Sequence, residues 1–199
     1  MSDPIADAVA ALRRGGLVVL PTDTVHGIAA RPDDPAATAR LFAAKARPRD
    51  LELPVLVADL ATAERLADVD DRARALAARH WPGPLTLVLP RRAASATWDL
   101  GGDPSTVGVR VPRHPLALAV LAAAGPLAVT SANRSGDPTP VDCEGIAAVF
   151  GDAVDVYLCD PEPRAGLPST VLDLAHGAPR VLREGGIAGN DLLAFLRPH

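Results

Sequence analysis

Short apolar runs alternate with amphipathic segments along most of the chain. Each run is bounded by proline, glycine or polar residues, a pattern typical of buried strands. The predicted strands are Leu17–Leu20, Pro54–Ala58, Leu85–Leu89, Thr106–Val111, Leu127–Thr130, Val154–Cys159, Thr170–Leu174 and Arg180–Arg183.

The segments between these strands predict helices. Asp3 can cap a first helix that has Pro4 in its opening turn and ends at Gly15. The other predicted helices are Pro35–Ala46, one or two helices within Ala61–Trp81, Pro115–Ala124 and a closing helix near Asp191–Leu196. Strands that alternate with helices predict an α/β fold whose sheet is covered on both faces. No repeat and no long linker divides the chain, so we expect a single domain over residues 1–199.

Composition narrows the possible functions. The chain has 199 residues, of which 48% are hydrophobic, enough to bury a sizeable core. Its net charge of −4 and sequence pI near 5.7 argue against a broad electrostatic grip on nucleic acid. Aromatic residues make up 3% of the chain, which leaves few side chains for stacking on bases.

The cysteines and the N-terminus bear on location. Cys143 and Cys159 form neither a metal-ligand spacing nor a disulfide framework, so we interpret them as free buried thiols in a reducing cytoplasm. The start of the chain, Met1–Asp7, is acidic and lacks the basic start of a signal peptide. No apolar run reaches the length of a membrane span. We therefore expect a soluble cytoplasmic protein without membrane contact.

Lys45 is the single lysine among 20 lysine and arginine residues. Two explanations stay open. A GC-rich genome favours arginine codons, and one lysine can survive by chance. Alternatively, the position needs a compact point charge facing a phosphate or a carboxylate, which lysine provides and the planar fork of arginine does not.

Polar loops next to the apolar strands are the usual place for ligands in an α/β protein. The loop Pro21–Gly27 has two threonines and Asp23, which can hold the amine and the carboxylate of a small zwitterion. The same residues can also form a polar turn in which Asp23 caps a helix. The run Lys45–Arg49 has three cations, which repel one another unless an anion joins them; a solvated basic loop is the alternative.

Two further places have polar side chains of interest. The loop Thr130–Gly136 combines small hydroxyl and amide residues with a glycine, so its backbone amides can approach an anion, although a generic strand-to-helix connection looks the same. Arg110 lies in an apolar strand, where an arginine is seldom buried unless it is paired or faces a ligand. Asp173 is a candidate structural partner for Arg110. Ser169 and Arg183 stand at the two ends of a predicted hairpin.

Several familiar catalytic motifs are missing. The sequence has no phosphate-binding Gly-x-x-x-x-Gly-Lys-Ser/Thr loop, no Gly-x-Gly-x-x-Gly turn, no Gly-x-Ser-x-Gly elbow and no His-Glu-x-x-His helix. Its five histidines are too scattered to predict a metal site. If the chain is an enzyme, positioning and positive charge must supply the catalysis.

Six motifs follow one another along the chain. They are Pro21–Gly27, Lys45–Pro48, Trp81–Thr86, Val109–Pro112, Ser131–Gly136, and Ser169–Val171 with Arg183. In this order they resemble the YrdC/TsaC family, whose members are threonylcarbamoyl-AMP synthases. The resemblance covers roughly residues 5–190. It implies a single YrdC-like domain with a twisted mixed β-sheet, flanked by helices around a basic concave site.

The resemblance also implies a reaction. Family members join L-threonine, bicarbonate and ATP into threonylcarbamoyl-AMP and pyrophosphate, and partner proteins transfer the product to an adenosine of tRNA (the t6A modification). It implies that Lys45 and Arg47 are catalytic and bind the ATP phosphates, with Mg²⁺ carried by the nucleotide. The further ATP-binding positions that it implies are Thr106, Ser131, Asn133, Thr139 and Arg183. The implied L-threonine-binding positions are Thr24, Arg110 and Ser169.

Three residues depart from the family pattern. His26 stands in place of the usual tyrosine, Glu52 in place of a proline or another non-acidic residue, and Leu56 in place of a histidine that some relatives have. These departures bear on substrate affinity more than on the class of reaction. Two alternatives remain: a carbamoyl-adenylate-forming paralogue, and an RNA- or nucleotide-binding module with weak RNA contact through the same concavity.

Overall fold

The computed structural model describes residues 3–160 and 166–197. The helices are α1 (Pro4–Arg13), α2 (Pro35–Ala44), α3 (Leu60–Leu66), α4 (Asp71–His80), α5 (Pro115–Ala124), α6 (Cys143–Phe150) and α7 (Gly189–Phe195), with a 3₁₀ turn at Gly151–Ala153. The strands are β1 (Val18–Leu20), β2 (Gly27–Ala30), β3 (Val55–Leu56), β4 (Leu85–Pro90), β5 (Thr106–Arg110), β6 (Leu127–Ser131), β7 (Val156–Tyr157), β8 (Thr170–Asp173) and β9 (Arg180–Arg183).

Aspartate caps begin several of the helices. The carboxylate of Asp3 accepts a hydrogen bond from the amide of Ile5 at the start of α1, and Asp34 does the same for two amides of α2. Each of these helices has proline in its first turn, where a missing N–H costs nothing. Asp70 caps the start of α4. The long amphipathic segment therefore consists of two helices, α3 and α4.

The strands form one mixed sheet in the order β7-β1-β2-β6-β3-β5-β4-β8-β9. The pairs β1–β7, β3–β5 and β4–β8 are parallel. The other five pairs are antiparallel. The predicted mixed α/β sheet is thus confirmed.

Side chains of the sheet alternate between two buried clusters, so both faces are covered. In β1, Val19 belongs to the larger cluster, whereas Val18 and Leu20 belong to the smaller one. The smaller cluster packs the sheet against α1 and α5, and the larger one buries most remaining helices. The apolar segment Pro115–Ala124 therefore belongs to the core packing.

The structure differs from the sequence-based expectation at three places. Neither β2 nor α6 was expected. The interpretation of the cysteines as free thiols was wrong, because Cys143 and Cys159 form a disulfide. Cys143 begins α6 and Cys159 follows β7, and the fold brings their Cα atoms to 5.8 Å, a spacing that disulfides require and that sequence separation does not reveal. Within the described residues, no helix is both long and apolar enough to cross a bilayer.

Candidate active site

A cavity of about 430 Å³ lies on one face of the sheet, at β4, β5, β8 and β9. Side chains of neighbouring strands lie side by side on its floor. Register places Thr86, Val171 and Arg183 in one row and Gly108, Val88, Asp173 and Arg180 in the next. The remaining wall comes from the loops after β1 and α2 and from β6.

The cavity lining has charges of both signs. Its arginines are Arg47, Arg110, Arg180 and Arg183, and its acidic residues are Asp50, Glu52, Asp103 and Asp173. The site is therefore concave but only partly basic. Within the described part of the chain, no group of three or more His, Cys, Asp or Glu side chains is arranged to hold a metal ion.

The Arg110 guanidinium is held from three directions. Its Nε donates to the carbonyl of Gly83 at 2.9 Å, and its Nη1 donates to the hydroxyl of Thr24 at 3.1 Å. Its Nη2 forms an ion pair with Asp23 at 2.6 Å. The Thr24 hydroxyl lies 2.9 Å from that of Thr22, so the first polar loop and β5 form one hydrogen-bonded unit.

Ser169 links neighbouring strands on the floor of the same cavity through its hydrogen bonds. Its hydroxyl lies 2.8 Å from that of Thr86 and accepts from Nη2 of Arg183 at 3.0 Å. Arg183 also donates twice to the Ser169 carbonyl. Burial lowers the pKa of Arg183, and the positive charges of Arg110 and Arg47 lower it further. These three cations therefore influence one another electrostatically.

Lys45 points into the protein and is 1% exposed. Its ammonium donates to the backbone carbonyls of Ser131 and Asn133. The backbone carbonyl of Lys45 accepts from the amide of Ser135, so the lysine holds the Ser131–Gly136 loop from both ends. Burial, followed by repulsion from Arg47, lowers the pKa of Lys45 to about 8.

Asn133 and Thr139 shape that loop from within. The Asn133 side-chain amide donates to the carbonyls of Arg134 and Asp137. Its oxygen accepts from the Thr139 hydroxyl at 3.1 Å. The loop is therefore closed by its own side chains.

The turn after α2 separates Lys45 from Arg47. Ala46 has a φ of 48°, in the left-handed region that favours glycine. The amides of Ala46 and Arg47 donate to the carbonyls of Ala43 and Phe42, the pattern of a Schellman cap. Lys45 consequently points inwards, whereas Arg47 lines the cavity and donates to the carbonyls of the segment Leu51–Glu52.

A group of acidic residues borders the far end of the cavity. His176 bridges Asp173, 3.0 Å from its Nδ1, and Asp103, 3.1 Å from its Nε2. Hydrogen bonds from Ser105, followed by one from His176, lower the pKa of Asp103 to about 2. The carboxylates of Asp103 and Asp173 in turn raise the pKa of His176. Asp173, considered above as a partner of Arg110, instead pairs with His176 and Arg180.

Glu52 differs from these carboxylates because its partners are weak. Its Oε1 accepts one long hydrogen bond of 3.3 Å from the Gly108 amide and lies 3.9 Å from Nη2 of Arg91. Burial raises its pKa to about 7, against the opposing effect of Arg91. Glu52 therefore changes charge near neutral pH.

The structure brings most of the expected residues to one cavity. Its lining includes Thr24, Arg47, Thr106, Arg110, Ser131, Ser169 and Arg183. Lys45, Asn133 and Thr139 are not among the lining residues; Asn133 lies in the Ser131–Gly136 loop, and Lys45 and Thr139 hydrogen-bond to it. The departures His26, Glu52 and Leu56 also line the cavity.

Sequence reasoning missed the contacts that organise this site. Asp23 was considered only as a ligand for an amine or as a helix cap, yet it pairs with Arg110, which lies 87 residues away. Thr86 was considered only as part of the Trp81–Thr86 motif and His176 only among the five histidines, and neither was predicted to be a site residue. The one available signal for Asp23 was its position beside Thr24 in a polar loop after a buried strand.

Comparison with known proteins gives the family. The model of the Sua5/YciO/YrdC family, described as telomere recombination, matches residues 10–185. A Mycobacterium tuberculosis H37Rv relative, assigned to threonylcarbamoyl-AMP synthases by its name, is 46% identical over 92% of this chain and 85% of its own. The threonylcarbamoyl-AMP synthase of Chromohalobacter salexigens is 42% identical over 88% of this chain and 95% of its own.

Solved structures agree with this result. Pyrococcus abyssi Sua5 complexed with L-threonine is 36% identical, with a TM-score of 0.87, over 96% of this chain and 57% of the Sua5 chain. Escherichia coli YciO is 30% identical, with a TM-score of 0.87, over 95% of this chain and 92% of its own. HypF, at 21% identity and a TM-score of 0.79, supports the fold alone. This chain belongs to the Sua5/YciO/YrdC family.

Proposed function

We propose that this chain is an L-threonylcarbamoyladenylate synthase, a nucleotidyltransferase that makes threonylcarbamoyl-AMP and pyrophosphate from L-threonine, bicarbonate and ATP. Its main support is that residues expected to bind threonine and residues expected to bind ATP line one cavity. Relatives that are threonylcarbamoyl-AMP synthases, at 37–42% identity, support the reaction class.

The reaction brings an anion to a polyanion. The threonine amine condenses with bicarbonate and loses water, which gives a carbamate. A carbamate oxygen then attacks the α-phosphorus of ATP while the bond to pyrophosphate breaks. Fixed positive donors must offset the repulsion, and they act best where water is excluded.

The threonine side is proposed to be Arg110, Thr24 and Ser169. The Arg110 guanidinium has five N–H donors, of which three are used by Gly83, Thr24 and Asp23. The two that remain, one on each terminal nitrogen, suit the two oxygens of a carboxylate. The hydroxyls of Thr24 and Ser169 line the cavity beside it. The Thr22 hydroxyl donates to the carbonyl of Val25, so the Thr24 hydroxyl donates to Thr22 and can accept one further bond, whereas the Ser169 hydroxyl can accept or donate one.

The nucleotide side is proposed to be Arg47, Arg183, Thr106 and Ser131 at the cavity wall, with Asn133 and Thr139 holding the loop that carries Ser131. We keep Lys45 as a catalytic residue beside Arg47. Two of its three N–H donors serve loop carbonyls, so one is left for a phosphate oxygen. Because Lys45 is buried, that contact requires the loop to shift when ATP binds.

Mg²⁺ is proposed to arrive with ATP as part of the substrate. Its preference for phosphate oxygens and water makes a dedicated protein cage unnecessary. The product is proposed to pass to tRNA threonylcarbamoyl-transfer proteins in the cytoplasm. Any direct contact with RNA is expected to be weak, given the net charge of −4.

The proposal is tested by measuring pyrophosphate release from Mg·ATP. Release should require both L-threonine and bicarbonate, and mass spectrometry should detect threonylcarbamoyl-AMP. Reactions with D-threonine and reactions in CO₂-free buffer are the matched controls. Equal release without threonine, or none in the complete mixture, contradicts the proposal.

A further inference from the structure

Asp23 lies immediately beside the proposed threonine site, in the loop between β1 and β2. A single oxygen, Oδ1, accepts from Nη2 of Arg110 at 2.6 Å and from the backbone amide of Arg113 at 2.8 Å. The side chains of Asp23 and Arg110 are 12% and 7% exposed. The pair is therefore largely shielded from water. In such a buried environment a charge-assisted hydrogen bond is stronger, and depends more strictly on geometry, than at the protein surface.

The contacts of Arg110 fix the direction of its plane. Gly83 takes the Nε donor, Thr24 takes one Nη1 donor and Asp23 takes one Nη2 donor. Three contacts from two separate loops, one with Gly83 and the other with Asp23 and Thr24, leave the guanidinium little freedom to rotate. Without Asp23, the Nη2 end would have no anchor among the described residues.

The charge of Arg110 also needs an anion nearby. A buried cation that loses its partner is strongly unfavourable, because desolvation is then uncompensated. Asp23 is the carboxylate that pairs with Arg110 in the described structure. It does so from behind, since Arg110 and Thr24 line the cavity and Asp23 is outside the lining.

We infer that Asp23 is a positioning residue, which orients the Arg110 guanidinium so that its two free N–H groups meet the carboxylate of an α-amino acid substrate. The inference rests on the proposed function, because it assigns Arg110 to the threonine carboxylate. Asp23 acts through Arg110 and touches no substrate atom itself.

A purely structural role for Asp23 makes a different prediction. Through the Arg113 amide, Asp23 also ties the β1–β2 loop to the chain just after β5. If this tether were its only role, substitutions would lower thermal stability, and any kinetic loss would affect threonine and ATP alike. A positioning role predicts a loss confined to threonine.

Two conservative variants separate orientation from charge. Asp23→Asn keeps the acceptor oxygen for both donors but removes the negative charge, and the substrate carboxylate can still serve as the counter-ion. Asp23→Glu keeps the charge but adds a methylene, which displaces the contact. We expect the KM for L-threonine to stay within about threefold in Asp23→Asn and to rise roughly 10- to 100-fold in Asp23→Glu, the loss expected for a misplaced charge-assisted hydrogen bond. The KM for ATP should change less than about twofold in both.

The kinetic measurement is paired with calorimetric titration of L-threonine into the folded variants without ATP. Asp68→Ala, which breaks an exposed ion pair with Arg92, is the matched control and should change neither KM. Unchanged threonine binding in Asp23→Glu, or threonine and ATP KM values that rise together, would overturn the inference while leaving the proposed function intact. A wild-type protein without threonine-dependent turnover would overturn the proposed function first and this inference with it.

Discussion

The two buried cations of the site, Arg110 and Lys45, are held in opposite ways. Arg110 has a carboxylate partner at 2.6 Å and faces the cavity with donors to spare. Lys45 has no carboxylate partner among the described residues, and its ammonium donates to loop carbonyls instead. The proposed threonine side is thus already formed, whereas the proposed nucleotide side would have to exchange internal hydrogen bonds for those of its ligand. Preorganisation of this kind lowers the cost of binding on one side only.

Substitution of Arg110 should have the largest effect on the preformed side. Arg110→Lys keeps the positive charge but loses the fork that contacts Gly83, Thr24 and Asp23 together. We expect kcat/KM for L-threonine to fall about 10²- to 10⁴-fold, since two charge-assisted hydrogen bonds are lost. Steady-state kinetics with each substrate varied in turn measures it. Arg92→Lys, at an exposed pair, is the control, and a fall seen equally for ATP would break the contrast between the two sides.

Substitution of Lys45 probes the other side. Lys45→Ala should lower turnover by on the order of 10²-fold, by analogy with the loss of one donor that stabilises developing charge. The KM for ATP should rise as well, because the Ser131–Asn133 loop loses its anchor, while threonine binding measured alone should be unchanged. Full activity of Lys45→Ala would contradict a catalytic role and would favour the explanation that the single lysine survived by chance.

A smaller effect should follow from Glu52, a carboxylate of the cavity lining whose contacts with Gly108 and Arg91 are long. Burial raises its pKa from 4.5 to about 7, so the folded state holds this proton more tightly than the unfolded state. Stability from this group is therefore present below pH 4.5 and is lost as the pH rises through 7. Glu52→Gln mimics the protonated acid, and we expect it to be on the order of 2–3 kcal/mol more stable than wild type at pH 8.

Urea denaturation at pH 4 and pH 8 measures the Glu52 effect. The two proteins should be nearly equal in stability at pH 4 and should diverge at pH 8. Glu64→Gln, at a half-buried helical position paired with the exposed Arg74, is the control and should show no comparable divergence. A difference that stays constant with pH would mean that Glu52 acts through packing alone.

The sheet was largely predictable because its strands are continuous apolar runs. β2 was missed since Gly27–Ala30 is rich in small residues with weak strand preference; its pairing with β1 and β6 places it in the sheet. The ordered motifs predicted that the site residues belong together, and most of them line one cavity. Their directions were not predictable, because the Arg110–Asp23 pair and the inward turn of Lys45 arise from tertiary contacts between distant segments.

The left-handed turn at Ala46 has a consequence for both neighbouring cations. An alanine in this conformation costs about 1–2 kcal/mol relative to a right-handed one, so the surrounding fold must hold it there. Because of this turn, the Lys45 side chain points to the interior and the Arg47 side chain lies in the cavity wall. A single backbone torsion therefore sets the directions of both side chains, and a change in that torsion would redirect both at once.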